Sequence, residues 1–298
     1  MAVTHTEVYR PFAGELRARR LPWWPIASAG IRIAWKKKLP ILLLYIPVGI
    51  ATIVSCFTVY GAFLLGGSDE PLSPQEMIVA AMASQLLEVR GIISQFNGTV
   101  GAFSMLAMAW FGAGLICEDR RVNAHLLYFA RPIRRLDYVL GKLAAIGFWG
   151  LCTSFLSGII ICIVAIFTSP DWIFLTEQYG TIFLTIGYSL TWIVAFSSMT
   201  LAISSLLPRK TFALVGIIAS FSLSTIVAQA LVEILDQPVF GVLSPVIAFD
   251  EFRVWIFSPS GKRDAFSEVW PFAAAVIGYS IASWSLIAWR VRRLEVVA

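Results

Sequence analysis

Charged residues are scarce in this chain of 298 residues. They make up 14% of the sequence, whereas hydrophobic residues make up 58%, and the mean hydropathy is +0.78. A soluble domain of this length would carry about a quarter charged residues. The shortage argues against an ordinary soluble protein and indicates that lipid is the solvent for much of the surface.

Histidine and cysteine are also sparse. The chain has two histidines, far apart in sequence, and four cysteines that form no Cys-x-x-Cys pair. Each cysteine lies within or at the end of an apolar run, where a small buried side chain is its ordinary role. We therefore expect no metal site in this chain.

What the sequence does have is six apolar runs of about 20 residues or more, the length that a helix needs to cross a bilayer. Polar connections separate them, the shortest being "LPRKT" between the fourth and the fifth. We predict an all-α integral membrane protein with one transmembrane domain over residues 1–298. Its spans are expected at about 41–65, 97–117, 143–168, 180–207, 211–235 and 270–289.

Basic residues are distributed unevenly between the two sides of this arrangement. Nineteen of the 23 Lys and Arg residues lie in the two tails and in the connections that follow the second and fourth spans. The positive-inside rule then predicts that both termini are cytoplasmic, in a multi-pass protein of the inner (plasma) membrane. Because topology accounts for the positive charge, we expect no nucleic-acid partner.

Shorter helices are expected beside the spans. The stretch "LPWWPIASAGIRIAWKKK" places aromatic side chains beside basic ones, as in an amphipathic helix lying along the membrane surface, and a plain basic flank is the alternative. On the far side, a helix capped by Ser73 is predicted within residues 67–96. Short helices packed against protein are predicted within residues 236–269.

The residues offer little for catalysis or for ion coupling. The Gly141-Lys142 step has Leu136 and Leu143 where a phosphate loop needs Gly and Ser or Thr, so we expect no ATP site in this chain. Glu233 is the only carboxylate within the expected spans, and it lies in the last turn of the fifth. We predict no catalytic or cofactor-binding residues. The lack of a nucleophile with a base disfavours a membrane enzyme. The lack of an ionisable residue at mid-membrane depth disfavours an ion-coupled carrier.

Hydroxyl side chains are concentrated in the fourth and fifth expected spans. Small polar residues there let helices approach closely and hydrogen-bond across their interface. Packing is one role for them, and lining a polar route for cargo is the other. The candidate residues for such a route are Ser197, Ser198, Ser220 and Ser224.

The connection between the second and third spans is unusually organised. "EDRRVNAHLLYFA" predicts an amphipathic helix with Leu126, Leu127 and Phe129 on its apolar side, and Pro132 ends it before "IRRLDYVLGK" enters the next span. A short helix held between two spans by charged corners can pass the movement of a soluble partner into the membrane. A basic loop that merely sets topology would not need this organisation.

The stretch "GLICEDRRVNAHLLYFARPIRRLDYVLGKLAA" resembles the characteristic segment of ABC-2-type transporter permeases. Glu118, Pro132, Arg134, Gly141 and Lys142 match an acidic exit from one span, a Pro-Ile-x-Arg step and a Gly-Lys entry to the next. Asn123-Ala124 stands where that family usually has Gly-Thr. "LSPVIAFDEFR" is similar to the family's external segment before the last span.

The resemblance implies a membrane-spanning permease, an exporter, that has no ATPase site of its own. It implies six transmembrane helices with an N-terminal interfacial helix and a cytoplasmic coupling helix within residues 118–142. Two copies of an ABC ATPase subunit would bind ATP and Mg, and a second permease copy or homologue would complete the complex among membrane lipids. A secondary carrier or channel is the alternative. The expected ATPase contacts are Glu118, Asp119, Arg120, Arg121, Asn123, His125, Pro132, Arg134 and Arg135.

Overall fold

The computed structural model describes residues 21–66, 89–122, 124, 134–169, 172–258 and 266–293, and these parts of the chain contain helices and no strands. Six helical stretches within them are long and apolar enough to cross a membrane, which confirms the all-helical class and the number of candidate spans. The elements are α1 Trp24–Trp35, α2 Lys38–Gly66, α3 Val89–Gly112, α4 Gly114–Arg121, α5 Arg135–Gly150, α6 Leu156–Thr168, α7 Ile173–Glu177, α8 Tyr179–Leu206, α9 Lys210–Leu235, α10 Pro245–Phe257 and α11 Phe266–Arg293.

Two of the candidate spans consist of more than one element. In the second, α3 passes into α4 at Ala113, and in the third a π-helical turn over Leu151–Phe155 joins α5 to α6. Helix α3 begins eight residues before the expected start at 97, because its first two turns bury Ile92, Ile93 and Phe96. The apolar faces of these turns are too short to stand out from the polar residues around them.

The second span forms the centre of the bundle. Of its most apolar stretch 67% is buried inside the chain, against 11% for α2 and 22% for α9. Aromatic rings fill the space between α8 and its neighbours, with ring centres of Trp192 and Phe196 4.1 Å apart and Phe249 of α10 about 5 Å from both. Helices α2 and α9 therefore present most of their apolar surface outward, as helices in contact with lipid do.

The segment after α9 contains short helices, as predicted. A 3₁₀ helix over Pro238–Leu243 leads into α10, where the Ser244 hydroxyl accepts a hydrogen bond from the amide of Ile247 and lies 2.9 Å from the hydroxyl of Thr225 on α9. Arg253 of α10 is 8% exposed and donates to both the carbonyl and the hydroxyl of Ser94 at 2.7 Å. This segment is thereby fastened into the bundle.

Of the other two short helices predicted beside the spans, only the N-terminal one lies within the described residues. Helix α1 occupies the stretch where an amphipathic helix is predicted, and its location at the membrane surface stays a prediction. The helix predicted from Ser73 lies outside the described residues. Helix α7, between the third and fourth spans, has no counterpart in the sequence analysis.

Candidate functional site at the basic end of the bundle

The end of the bundle where α4 ends and α5 and α9 begin, here called the basic end, is built around a shared carboxylate. Lys142 Nζ of α5 lies 2.7 Å from Asp119 Oδ2 of α4, with side chains 7% and 16% exposed. The hydroxyl of Tyr138 donates to the same oxygen at 2.8 Å. A mostly buried ion pair with an added hydrogen bond has the geometry in which such a pair can persist. It joins the end of α4 to the start of α5.

A second set of hydrogen bonds joins α4 to the end of α8. Arg120 Nη1 donates to the backbone carbonyl of Ser205 at 2.6 Å. Ser204 Oγ donates to the carbonyl of Ala113 at 2.6 Å, at the junction between α3 and α4. The exit of the second span is thus held to both the third and the fourth span.

The structure explains why a glycine and a lysine occupy positions 141 and 142. A Cβ atom added at Gly141 would lie 2.7 Å from Ile26 Cβ and 2.8 Å from the Trp23 carbonyl oxygen, so only glycine allows α1 to approach α5 this closely. One α1 turn further on, Gly30 meets Ala145 in the same manner. Lys142 supplies the charge that pairs with Asp119. The step therefore holds α1 on one side and α4 on the other.

The expected partner contacts divide into two groups in the structure. Asp119 and Arg120 engage residues of their own chain, as described above. The side chains of the other described members are exposed at the rim of the basic end, namely Glu118, Arg121, Arg134 and Arg135. Asn123, His125 and Pro132, and most of the predicted coupling helix, lie outside the described residues.

The start of α5 is fixed by a local cap. The amide of Arg134 donates to the carboxylate of Asp137 at 3.2 Å, which satisfies one of the amides that a helix N-terminus leaves unpaired. An acidic side chain in the first turn also interacts favourably with the helix dipole. This cap and the burial of Tyr138 and Val139 explain why the helix begins at Arg135 and not at 143, where the apolar run starts.

The four serines expected along a translocation route do not come together. Ser197 and Ser198 are buried inside the bundle, where Ser198 donates to the carbonyl of Ala195 at 2.8 Å. Ser220 and Ser224 lie on α9 and donate to carbonyls within their own helix. The described part of the chain therefore shows no single surface lined by all four.

A buried polar network surrounds the π-helical turn and was not predicted from the sequence. Thr153 Oγ1 donates to Ser104 Oγ at 2.9 Å, and Ser154 Oγ donates to Asn97 Oδ1 at 3.2 Å and lies 3.4 Å from the hydroxyl of Ser189. The network ties the third span to the second and fourth. The polar pair Thr153-Ser154 in an apolar run was the available signal, but its partners lie 35 to 57 residues away.

Among the described residues, no group of three or more His, Cys, Asp or Glu side chains could hold a metal ion. No protein-family model matches the chain, and a comparison with curated proteins finds no significant match. The site is therefore interpreted from its own geometry.

Proposed function

We propose that the chain is the membrane-spanning permease subunit of an ABC transporter of the ABC-2 type, an exporter driven by a separate ATPase that docks on residues 118–142. In this proposal the protein lies in the inner (plasma) membrane, and its basic end faces the cytoplasm. The carrying observation is the Asp119–Lys142–Tyr138 cluster, which clamps together the two ends of the docking segment.

The clamp supports the proposal because a docking element must be rigidly attached in order to transmit force. A loop whose two ends moved independently would absorb the movement of a partner. Here the entry and exit of the segment are joined by a mostly buried ion pair, and Arg120 extends the connection to the end of α8. A push on the segment would move the second, third and fourth spans together.

The exposed rim charges are suited to recognition of a soluble partner. Glu118 and Arg121 project at the end of α4, and Arg134 and Arg135 at the start of α5. Charged groups at the edge of an interface fix its register and speed its formation more than they add affinity. A mixed set of one carboxylate and three guanidinium groups would select a partner surface of matching pattern.

A second copy is supported by the outward face of α9. Exposed polar residues recur there at helical spacing, namely Thr211, Ser222, Gln229 and Glu233. Ser222 and Gln229 lie away from the ends of α9, where polar side chains facing hydrocarbon are unfavourable unless another protein surface or water meets them. Gly98, Gly101, Gly112 and Gly114 of the second span do not supply such a face. A Cβ added at each would meet a side chain of the same chain, as Gly101 would meet Trp192.

The decisive experiment is a double substitution at the rim, Glu118→Ala with Arg121→Ala. Complexes purified with the ATPase should show about tenfold weaker ATPase binding, because each exposed ion pair contributes up to about 1 kcal/mol, two are lost, and 1.4 kcal/mol is tenfold. Transport-coupled ATP hydrolysis should fall with it, while the isolated ATPase keeps its basal rate.

The matched control replaces two exposed charges away from the segment, Glu268→Ala with Arg292→Ala. This variant should bind and stimulate the ATPase like the original chain. If no ATPase copurifies with the chain from its native membrane, or if the rim variant behaves like the control, the proposal is wrong.

A further inference from the structure

A groove of about 720 Å³ lies between α2 and α6, away from the basic end. Its lining is almost wholly apolar and comes from both helices: Gly49, Thr52, Ile53, Cys56, Phe57, Tyr60, Ser157, Ile160 and Val164. Gly49 opens onto unfilled space, since a Cβ added there would meet nothing within 4 Å. Large side chains such as Phe57 and Ile53, both mostly exposed, form its edge.

The chemistry of the lining excludes a polar occupant. The Thr52 hydroxyl already donates to the carbonyl of Val48 at 2.8 Å, so it does not need a partner from a ligand. Apart from the Cys56 thiol and the Ser157 and Tyr60 hydroxyls, the remaining lining atoms are hydrocarbon or backbone. A pocket without convergent hydrogen-bonding groups selects its ligand by shape and apolar contact alone.

The dimensions of the groove fit one leaflet of a bilayer. From Gly49 to Tyr60 the helix rises about 16 Å at 1.5 Å per residue. Half the hydrocarbon thickness of a bilayer is about 15 Å. Lys38, at the start of α2, is about 16 Å from Gly49 by the same rise, so the groove begins near mid-membrane and runs toward the end opposite to the basic one.

We propose that this groove binds one acyl chain of a phospholipid from the leaflet opposite to the basic end. The chain terminus lies at Gly49, and the headgroup lies beyond Tyr60. Tyr60 is half-exposed at the level where tyrosine side chains meet the membrane interface. Shape retains the lipid, because an unfilled cleft would forfeit dispersion contacts along its whole length. The proposal rests on the six spans alone and not on the ATPase.

The first test is native mass spectrometry of the full chain purified in mild detergent with its copurified lipids. Gly49→Phe fills the groove and should remove one retained phospholipid per chain. Gly61→Phe is the matched control, because Gly61 is on the same helix, also has no atom within 4 Å of its Cβ position, and does not line the groove. Equal lipid retention in the two variants overturns the proposal.

The second test needs no substitution and therefore does not depend on the folding of a variant. A phospholipid with a diazirine near its chain terminus should crosslink mainly to Thr52 and Ser157. A diazirine near the glycerol should move the crosslinks from Thr52 toward Tyr60, by about 12 Å along the helix. Labelling spread evenly over outward residues of α2 such as Ile50 and Val54 would mean ordinary contact with bulk lipid and would overturn the proposal. Labelling by a photoreactive fatty acid but not by the phospholipid would overturn it as well.

Discussion

At the scale of single residues, the basic end depends on the carboxylate of Asp119, which Lys142 and Tyr138 share. The Lys142 ammonium is almost completely removed from water, and so is most of the carboxylate. Such a pair adds little to stability compared with an apolar pair, yet the loss of one partner removes the opposite charge from the other. The arrangement is therefore sensitive to single substitutions and tolerant of a paired one.

We expect Lys142→Met to destabilise the chain by about 3–5 kcal/mol, the usual cost of stranding one member of a buried ion pair. The double variant Asp119→Asn with Lys142→Met should recover most of this loss, because no buried charge is left. Unfolding curves in mixed micelles would give the free energies. A double variant as unstable as the single one would contradict the argument, and Arg292→Met serves as the control for loss of an exposed charge.

The contact between Arg253 and Gly98 is one that could not be predicted from the sequence. Arg253 Cζ lies 3.1 Å from the position of a Cβ at Gly98, so the arginine fits only beside a glycine. Its hydrogen-bond partner Ser94 is 159 residues away in sequence. Periodicity and composition give information about neighbours within one helix. They give none about a pair of residues this far apart in sequence. No role for Arg253 could therefore be predicted from the sequence.

At the scale of helices, the close contact of α1 with α5 determines the shape of the basic end. Gly141 and Gly30 allow the two backbones to approach, and Trp35 of α1 stacks on Trp149 of α5 with ring centres 5.7 Å apart. An amphipathic segment held in this way moves with the third span. The helical structure of α1 could be predicted from the sequence, because its apolar spacing is local. The helix against which α1 packs could not.

Gly141→Ala should loosen α1, because the added methyl group would meet the Trp23 carbonyl at 2.8 Å and backbone cannot yield as a flexible side chain can. We expect a cost of about 1–3 kcal/mol and faster maleimide labelling of a cysteine placed at Ser28. Gly61→Ala, which meets no atom within 4 Å, is the control and should leave both quantities unchanged. Unaltered labelling in Gly141→Ala would show that α1 is not held by this contact.

At the scale of the whole molecule, the six candidate spans could be predicted from the sequence because each is one uninterrupted apolar run. The exposed face of α9 could not be predicted from the sequence, because the exposure of a helix depends on which other helices surround it. Within the described residues, the second span is central and α2 and α9 are peripheral, although α2 and the second span are similarly apolar. Burial in a membrane bundle is not encoded by hydropathy, because lipid and protein interior are both apolar.

If a second copy covers the polar face of α9, cysteines introduced at Ser222 or Gln229 should form disulfides between two chains in native membranes. A cysteine at Ile53, which is also exposed but lies on α2 beside the proposed lipid groove, should not. Oxidative crosslinking followed by non-reducing electrophoresis separates the dimer from the monomer. Crosslinks at Ile53 with none on α9 would move the interface to the other side of the bundle.

The π-helical turn in the third span has a consequence for how this chain can change over time. The amide of Leu156 bonds to the carbonyl of Leu151, five residues back, so the turn holds one residue more than a regular α-helix would. The turn absorbs this extra residue, which in a regular α-helix would rotate everything after it by about 100°. Deleting one residue of the turn, for instance Cys152, would therefore restore a regular α-helix and leave Ser157 and Ile160 at the groove and Gly141 and Lys142 at the basic end. The span can thus gain or lose a residue at this turn without loss of the contacts that its two halves make.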